Sequence, residues 1–135
     1  MMTNNRKGQK GTALVEAALT LTLYAMLVFS IFDFGYVMFM HQMVTYRVAA
    51  AARYGALNPA DSTGMRNFVM YNQASGSGPG LFGITSSNVS ATRQDSGTIE
   101  DRVVVTVTSF HYPMIWPGMS GNARPISVSL PVEAD

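Results

Sequence analysis

The sequence predicts an α+β fold. A long N-terminal helix, membrane-spanning in its first half, is followed by a short second helix and a small antiparallel β-sheet packed on the long helix's distal half. A mostly apolar run starts at Thr12, helical periodicity continues from Val37 to Gly55, and alternating Val-rich segments appear only late in the chain. Of the 135 residues only 13% are charged and 47% are hydrophobic, a low charge content for a soluble domain of this size. There is no cysteine, so neither a disulfide framework nor a thiolate metal site is available. A net charge of +1 gives no electrostatic pull toward nucleic acid, and none is expected as a partner.

The first eleven residues are polar and basic, with Arg6, Lys7 and Lys10 ahead of the apolar run. Thr12 to Phe32 then supplies 21 residues, 16 of them apolar. As a helix this is roughly 31 Å long at ~1.5 Å per residue, enough for a bilayer core of about 30 Å. Between Gly11 and Tyr46 there is no Lys or Arg, and the acids are Glu16 and Asp33 alone. Basic residues on one side only place the N-terminus in the cytoplasm and send Asp33 to Asp135 across the membrane. A cleaved secretory signal fits poorly. Its apolar region would be shorter, Ser30-Ile31-Phe32-Asp33 is a poor cleavage site, and the small residues Ala49 to Ala52 lie too far downstream.

Glu16 is the anomaly of this segment. A carboxylate at the centre of a lone membrane helix costs on the order of 2.5–3.5 kcal/mol, less near the end of the span. It either snorkels to the interface or meets a positive partner within an assembly. The spacing sharpens that choice. A cut after Gly11 makes Thr12 the first residue and Glu16 the fifth, with a new ammonium just ahead of the apolar run. In a helical stack, the Glu16 of one subunit would pair with the ammonium of the next, neutralising both charges and setting the axial register. A cut after Gly8 would put Ala13 fifth instead. Removing residues 1 to 11 leaves 124 residues with six basic and eight acidic side chains, a net charge of −2.

Beyond Phe32 the helix is predicted to continue to about Leu57, because Val37, Met40, Val44, Val48, Ala51 and Gly55 recur at three- and four-residue steps. Asn58-Pro59 stops it. Asp61-Ser62-Thr63-Gly64 reads as a second helix start, with the helix running to about Gln73. Ser75 to Gly83 is a loop: Pro79 interrupts its glycines, no strand precedes it and no lysine follows, so it is not a phosphate loop. Strands are predicted at Val89 to Arg93, Arg102 to Phe110 and Ile126 to Val132, with turn chemistry at Gln94 to Gly97 and Pro131 marking an edge or strand end. Phe110 to Met119, "FHYPMIWPGM", reads as a partly exposed loop on the sheet, or else as a subunit contact.

A basic leader, Gly11, four residues, Glu16 and a long apolar helix is similar to a type IV prepilin. More closely, "KGTALVEAAL", "SIFDFGYVMF" and "VTYRVAAAARYGA" resemble the TadE-like minor pilins, or pseudopilins, of the tight-adherence system. In that family an acidic residue, an aromatic and Gly close the membrane segment; here these are Asp33, Phe34 and Gly35. A small-residue, Arg-bearing helix tail follows, here Val48 to Ala56, and the resemblance spans residues 6 to 57. Two positions depart from the pattern: Ala17 follows Glu16 where an aromatic is more usual, and Tyr36 follows Gly35 where a basic residue is frequent. The resemblance implies a leader at 1–11, a membrane and assembly helix at 12–33, and a distal helix with a periplasmic α+β domain at 34–135. It implies cleavage after Gly11 by a prepilin peptidase, insertion in the bacterial inner membrane, and extraction by an ATPase-driven assembly platform. Partner pilins and incorporation in a pilus for adhesion or secretion are implied as well.

Catalysis finds no support in the spacing, and no cofactor is expected. Glu16 and Asp33 are 17 residues apart, roughly 25 Å along one helix, and Asp33 and His41 are ~12 Å apart. His111 has no partner by spacing, and no nucleophile motif surrounds the many Ser and Thr residues. The alternative to a pilin is an uncleaved single-pass anchor bearing a periplasmic scaffold or binding domain.

Overall fold

Fifty-two consecutive residues, Arg6–Leu57, form one helix, α1, in the computed structural model, which describes residues 6–113 and 120–133. The helix begins ahead of the predicted start at Thr12. Arg, Lys and Gln are strong helix formers and no proline intervenes, so Arg6–Lys10 continue the helix backwards despite Gly8 and Gly11. The side chains of Arg6, Lys7 and Lys10 lie outside the described residues. At the other end α1 stops at Leu57, one residue before Asn58-Pro59.

The second helix, α2, is Ser62–Tyr71. Asp61 is its N-cap, its side chain accepting from the Gly64 N–H at 2.8 Å, and Asn72 closes it in the left-handed conformation. A 3-10 turn at Leu81–Gly83 and another at Ser86–Asn88 lead into the strands. These are β1 (Val89–Gln94), β2 (Arg102–Val107), β3 (His111–Pro113), β4 (Ser120–Asn122) and β5 (Ile126–Pro131).

The main sheet has order β1-β2-β5, antiparallel throughout, with Ala91 opposite Val105 and Val105 opposite Val128. Pro131, predicted to mark an edge, is the last residue of the edge strand β5, where a missing N–H costs no ladder bond. Val103, Val105 and Val107 point inward and are fully buried, while Arg102 faces out, as the alternation predicts. The β1–β2 turn is braced by charge: Arg93 reaches Asp101 with two guanidinium nitrogens, and Arg102 reaches Asp95 at 3.0 Å.

The core lies between the sheet, α2 and the predicted stripe of α1. Met40, Val44, Val48, Ala51 and Ala52 are buried against Met65, Val69, Val103, Val105 and Val107. One prediction needs correction. Phe110 and Tyr112, expected in a partly exposed loop, are both buried and stack edge to face 4.9 Å apart. His111–Pro113 pairs with Ser120–Asn122 as a separate two-stranded ribbon, because Phe110 and Tyr112 bury more apolar surface than a loop could leave wet. The remainder of that aromatic stretch, 114–119, lies outside the described residues.

Candidate functional site

Among the described residues, no other element packs on the apolar first half of α1. Its most apolar 18-residue window has mean hydropathy 1.9 and none of it is buried within the chain. Leu14, Leu19, Leu21, Leu23, Leu27, Ile31 and Phe32 are all more than half exposed. They point in every direction around the helix, as in an element solvated by lipid or by other helices rather than by water. Alone such a surface aggregates in water, and this helix is long and apolar enough to cross a membrane.

The polar groups of this half are managed locally. Thr20 Oγ1 donates to the Glu16 carbonyl, Thr22 Oγ1 to Ala18 and Ser30 Oγ to Met26, each at 2.8 Å. Back-bonding of this kind keeps these three hydroxyl protons paired within the helix. Glu16 is the one acid between Gly11 and Phe32, and its side chain is exposed. A shallow groove beside it is lined by Ala13, Ala17, Thr20, Leu21 and Tyr24. Small residues at 13, 17 and 20 recess the surface next to the carboxylate and allow another helix backbone to come close.

Gly11, Thr12 and Glu16 lie within about a turn and a half of one another, all exposed. A Cβ at Gly11 would touch nothing within 4 Å. The Gly11–Thr12 peptide bond is inside α1, not in an extended segment. Asp33, Phe34 and Gly35 are also helical, with Asp33 half-buried and Phe34 and Gly35 exposed. They stand roughly 25 Å from Glu16 along the axis, so the two acids form no common site.

Two contacts that seat the domain on α1 are not predicted by the sequence. Tyr54 donates its hydroxyl to Asp61 at 2.7 Å and stacks on Phe68 with centroids 4.7 Å apart. His41 Nδ1 and the Tyr112 hydroxyl lie 3.2 Å apart. Burial raises the Tyr112 pKa, so that hydroxyl stays protonated and able to donate. These contacts join residues 71 apart in one case, beyond the reach of spacing arguments; the Asp61 cap motif was the one visible clue to the other. Among the described residues no three metal-ligating side chains converge.

A family model described as TadE-like protein matches residues 11–53, which is the apolar half of α1 together with most of the helix that carries the domain. No curated protein matches the chain. No solved structure matches it.

Proposed function

We propose, from the TadE-like match over residues 11–53, that this chain is a TadE-like minor pilin of a tight-adherence pilus. The family implies a pilin role tied to that pilus, structural rather than enzymatic. The single N-terminal apolar helix suggests a single-pass membrane anchor. In this reading residues 1–11 are a leader, 12–33 the membrane and assembly helix, and 34–135 the distal domain on the far side of the bacterial inner membrane. A prepilin peptidase cuts after Gly11, and an assembly platform moves the product into a pilus or short pseudopilus with partner pilins.

The observation that carries this reading is the placement of Glu16. It is one carboxylate within the apolar, uncovered stretch of α1, about 6 Å along the axis from Thr12. After the cut, Thr12 presents an ammonium. The Glu16 of one subunit meets the Thr12 ammonium of its neighbour, and the recess at Ala13, Ala17 and Thr20 brings the two backbones together. Each charge then removes the other's desolvation cost, and one axial offset between subunits is favoured over all others.

The unbroken helix through Gly11–Thr12 favours a second reading, an uncleaved anchor, since a peptidase must unwind the bond it cuts. Gly11 eases that step, because glycine weakens a helix by about 1 kcal/mol relative to alanine. The deciding measurement is the N-terminus of the protein taken from its native membranes, by intact mass or terminal sequencing. The pilin reading expects Thr12 as the first residue. Met1 or Met2, with an active peptidase present, would overturn it in favour of the permanent anchor.

A further inference from the structure

The two ends of the distal domain differ in charge. Asn67 to Thr92 contains no Asp, Glu, Lys, Arg or His, and Val103 to Ala123 contains His111 alone. By contrast, the β1–β2 turn gathers Arg93, Asp95, Glu100, Asp101 and Arg102 in ion pairs. Contacts to α1 fix which end is which. The Glu133 N–H donates to the Ala56 carbonyl and the Val132 N–H to that of Asp101, so the charged turn is level with the end of α1. At the other end His41 meets Tyr112, and Phe39 meets Phe82 edge to face with centroids 6.3 Å apart. From Phe39 to Ala56 is ~25 Å along the helix. This charge-poor pole, where Arg124 stands exposed two residues ahead of the Ile126–Val107 pair, therefore faces back toward the apolar half of α1.

Apolar side chains also continue past Asp33 without a break. Phe34, Tyr36, Met38 and Phe39 are all at least 40% exposed. Phe82 extends this surface from the domain side, half-buried at the centre of its 3-10 turn. Its backbone is left-handed, with φ 52 and ψ 30, uncommon for a bulky side chain and sustained where the surroundings hold it. With the hydrocarbon ending near Phe32, Phe34 and Tyr36 fall in a headgroup layer about 5–7 Å deep, and Phe39 lies ~10 Å out. A tilt of about 20°, the average for membrane helices, tips the Phe82 side into that layer.

We propose that this charge-poor pole, led by Phe39 and Phe82, is seated in the headgroup layer of the leaflet on the domain's side, so that the domain lies on lipid. Aromatic rings are favoured at that depth, the scarcity of charge over Asn67 to Thr92 lowers the cost of leaving bulk water, and Arg124 can keep its guanidinium among the lipid phosphates. The surface is continuous with the spanning helix, which is why lipid rather than a protein partner is its occupant. The inference rests on α1 being a membrane anchor.

The test uses the full chain with its one tryptophan, Trp116, changed to Phe, and a single reporter placed by Leu23→Trp, Phe82→Trp or Ile99→Trp. Each is reconstituted in phosphatidylcholine vesicles with and without bromine on the upper acyl chain. Leu23→Trp and Phe82→Trp are expected to lose fluorescence to bromine and to emit to the blue. Ile99→Trp, fully exposed on the charged turn, is expected to do neither. Phe39→Trp serves as the second reporter if tryptophan at 82 prevents folding. Loss at Leu23→Trp with none beyond the Ile99→Trp level at 82 or 39 overturns the proposal and leaves the anchor standing. No loss at Leu23→Trp removes the anchor and the proposal together. A blue shift at 82 that grows with protein-to-lipid ratio, without bromine quenching, assigns the surface to a second copy and overturns the lipid assignment.

Discussion

Asp61 shows how much one side chain organises. It accepts from the Gly64 N–H and from the Tyr54 hydroxyl, and these two bonds hold its pKa below the usual carboxylate value. The same bond raises the Tyr54 pKa, as expected when a phenol donates to a carboxylate. A depressed carboxylate pKa means that the folded state prefers the ionised form. This contribution is complete above the unfolded pKa of about 3.9 and is lost as pH falls through the lower folded value. Asp101, held down chiefly by Arg93, adds the same trend. The melting temperature of the chain in detergent should therefore fall as the pH drops below about 4. Asp61→Asn, which still caps α2, should flatten part of that dependence. Equal acid sensitivity in the variant would remove Asp61 from the account.

Gly55 is a second such residue, chosen for space. It lies where α1, α2 and β2 meet, and a Cβ there would stand 2.8 Å from Val103 Cγ1 and collide with the Met65 thioether. Met65 can shift, but Val103 is fully buried in the sheet's central strand. Gly55→Ala should destabilise the domain by about 1–3 kcal/mol, the usual cost of overpacking, despite alanine's better helix propensity. Thermal unfolding in detergent checks it, and an unchanged or raised melting temperature would contradict the packing.

Among the elements, α1 divides by what covers it. From Val37 onward its stripe is capped by the sheet and α2, and this half was legible because period-3.6 burial leaves its mark in sequence. So did the Asn58-Pro59 stop, the Asp61 cap and the inward Val103, Val105 and Val107. The β3–β4 ribbon did not, since three-residue strands show no period and their pairing is set by distant partners. Phe110 and Tyr112 were misplaced for that reason, and Phe82 against Phe39 was invisible for the same one. The candidate site was legible in residue type and spacing, because Glu16 contradicts its surroundings; the recess at Ala13 and Ala17 beside it needed coordinates.

The uncovered half of α1 carries its own prediction. Glu16→Ala makes that half more apolar, so membrane insertion and processing should be unaffected while assembly into filaments is lost. Immunoblots for the processed form and electron microscopy of surface filaments separate the two effects. Normal filaments from the alanine variant would show that Glu16 sets no register.

For the whole molecule, the notable feature is that the uncovered apolar segment and the domain share one helix with no joint between them. The Glu133 N–H is bonded to the Ala56 carbonyl at the far end, and His41 meets Tyr112 at the near end. Tension applied to the N-terminal half therefore enters the domain along the axis of α1. It would load the Met40-to-Gly55 contacts in shear, many side chains at once, rather than peeling them apart in turn. A domain mounted this way withstands hauling from below better than prying from the side, which suits the extraction by the stem that the proposed pilin role requires.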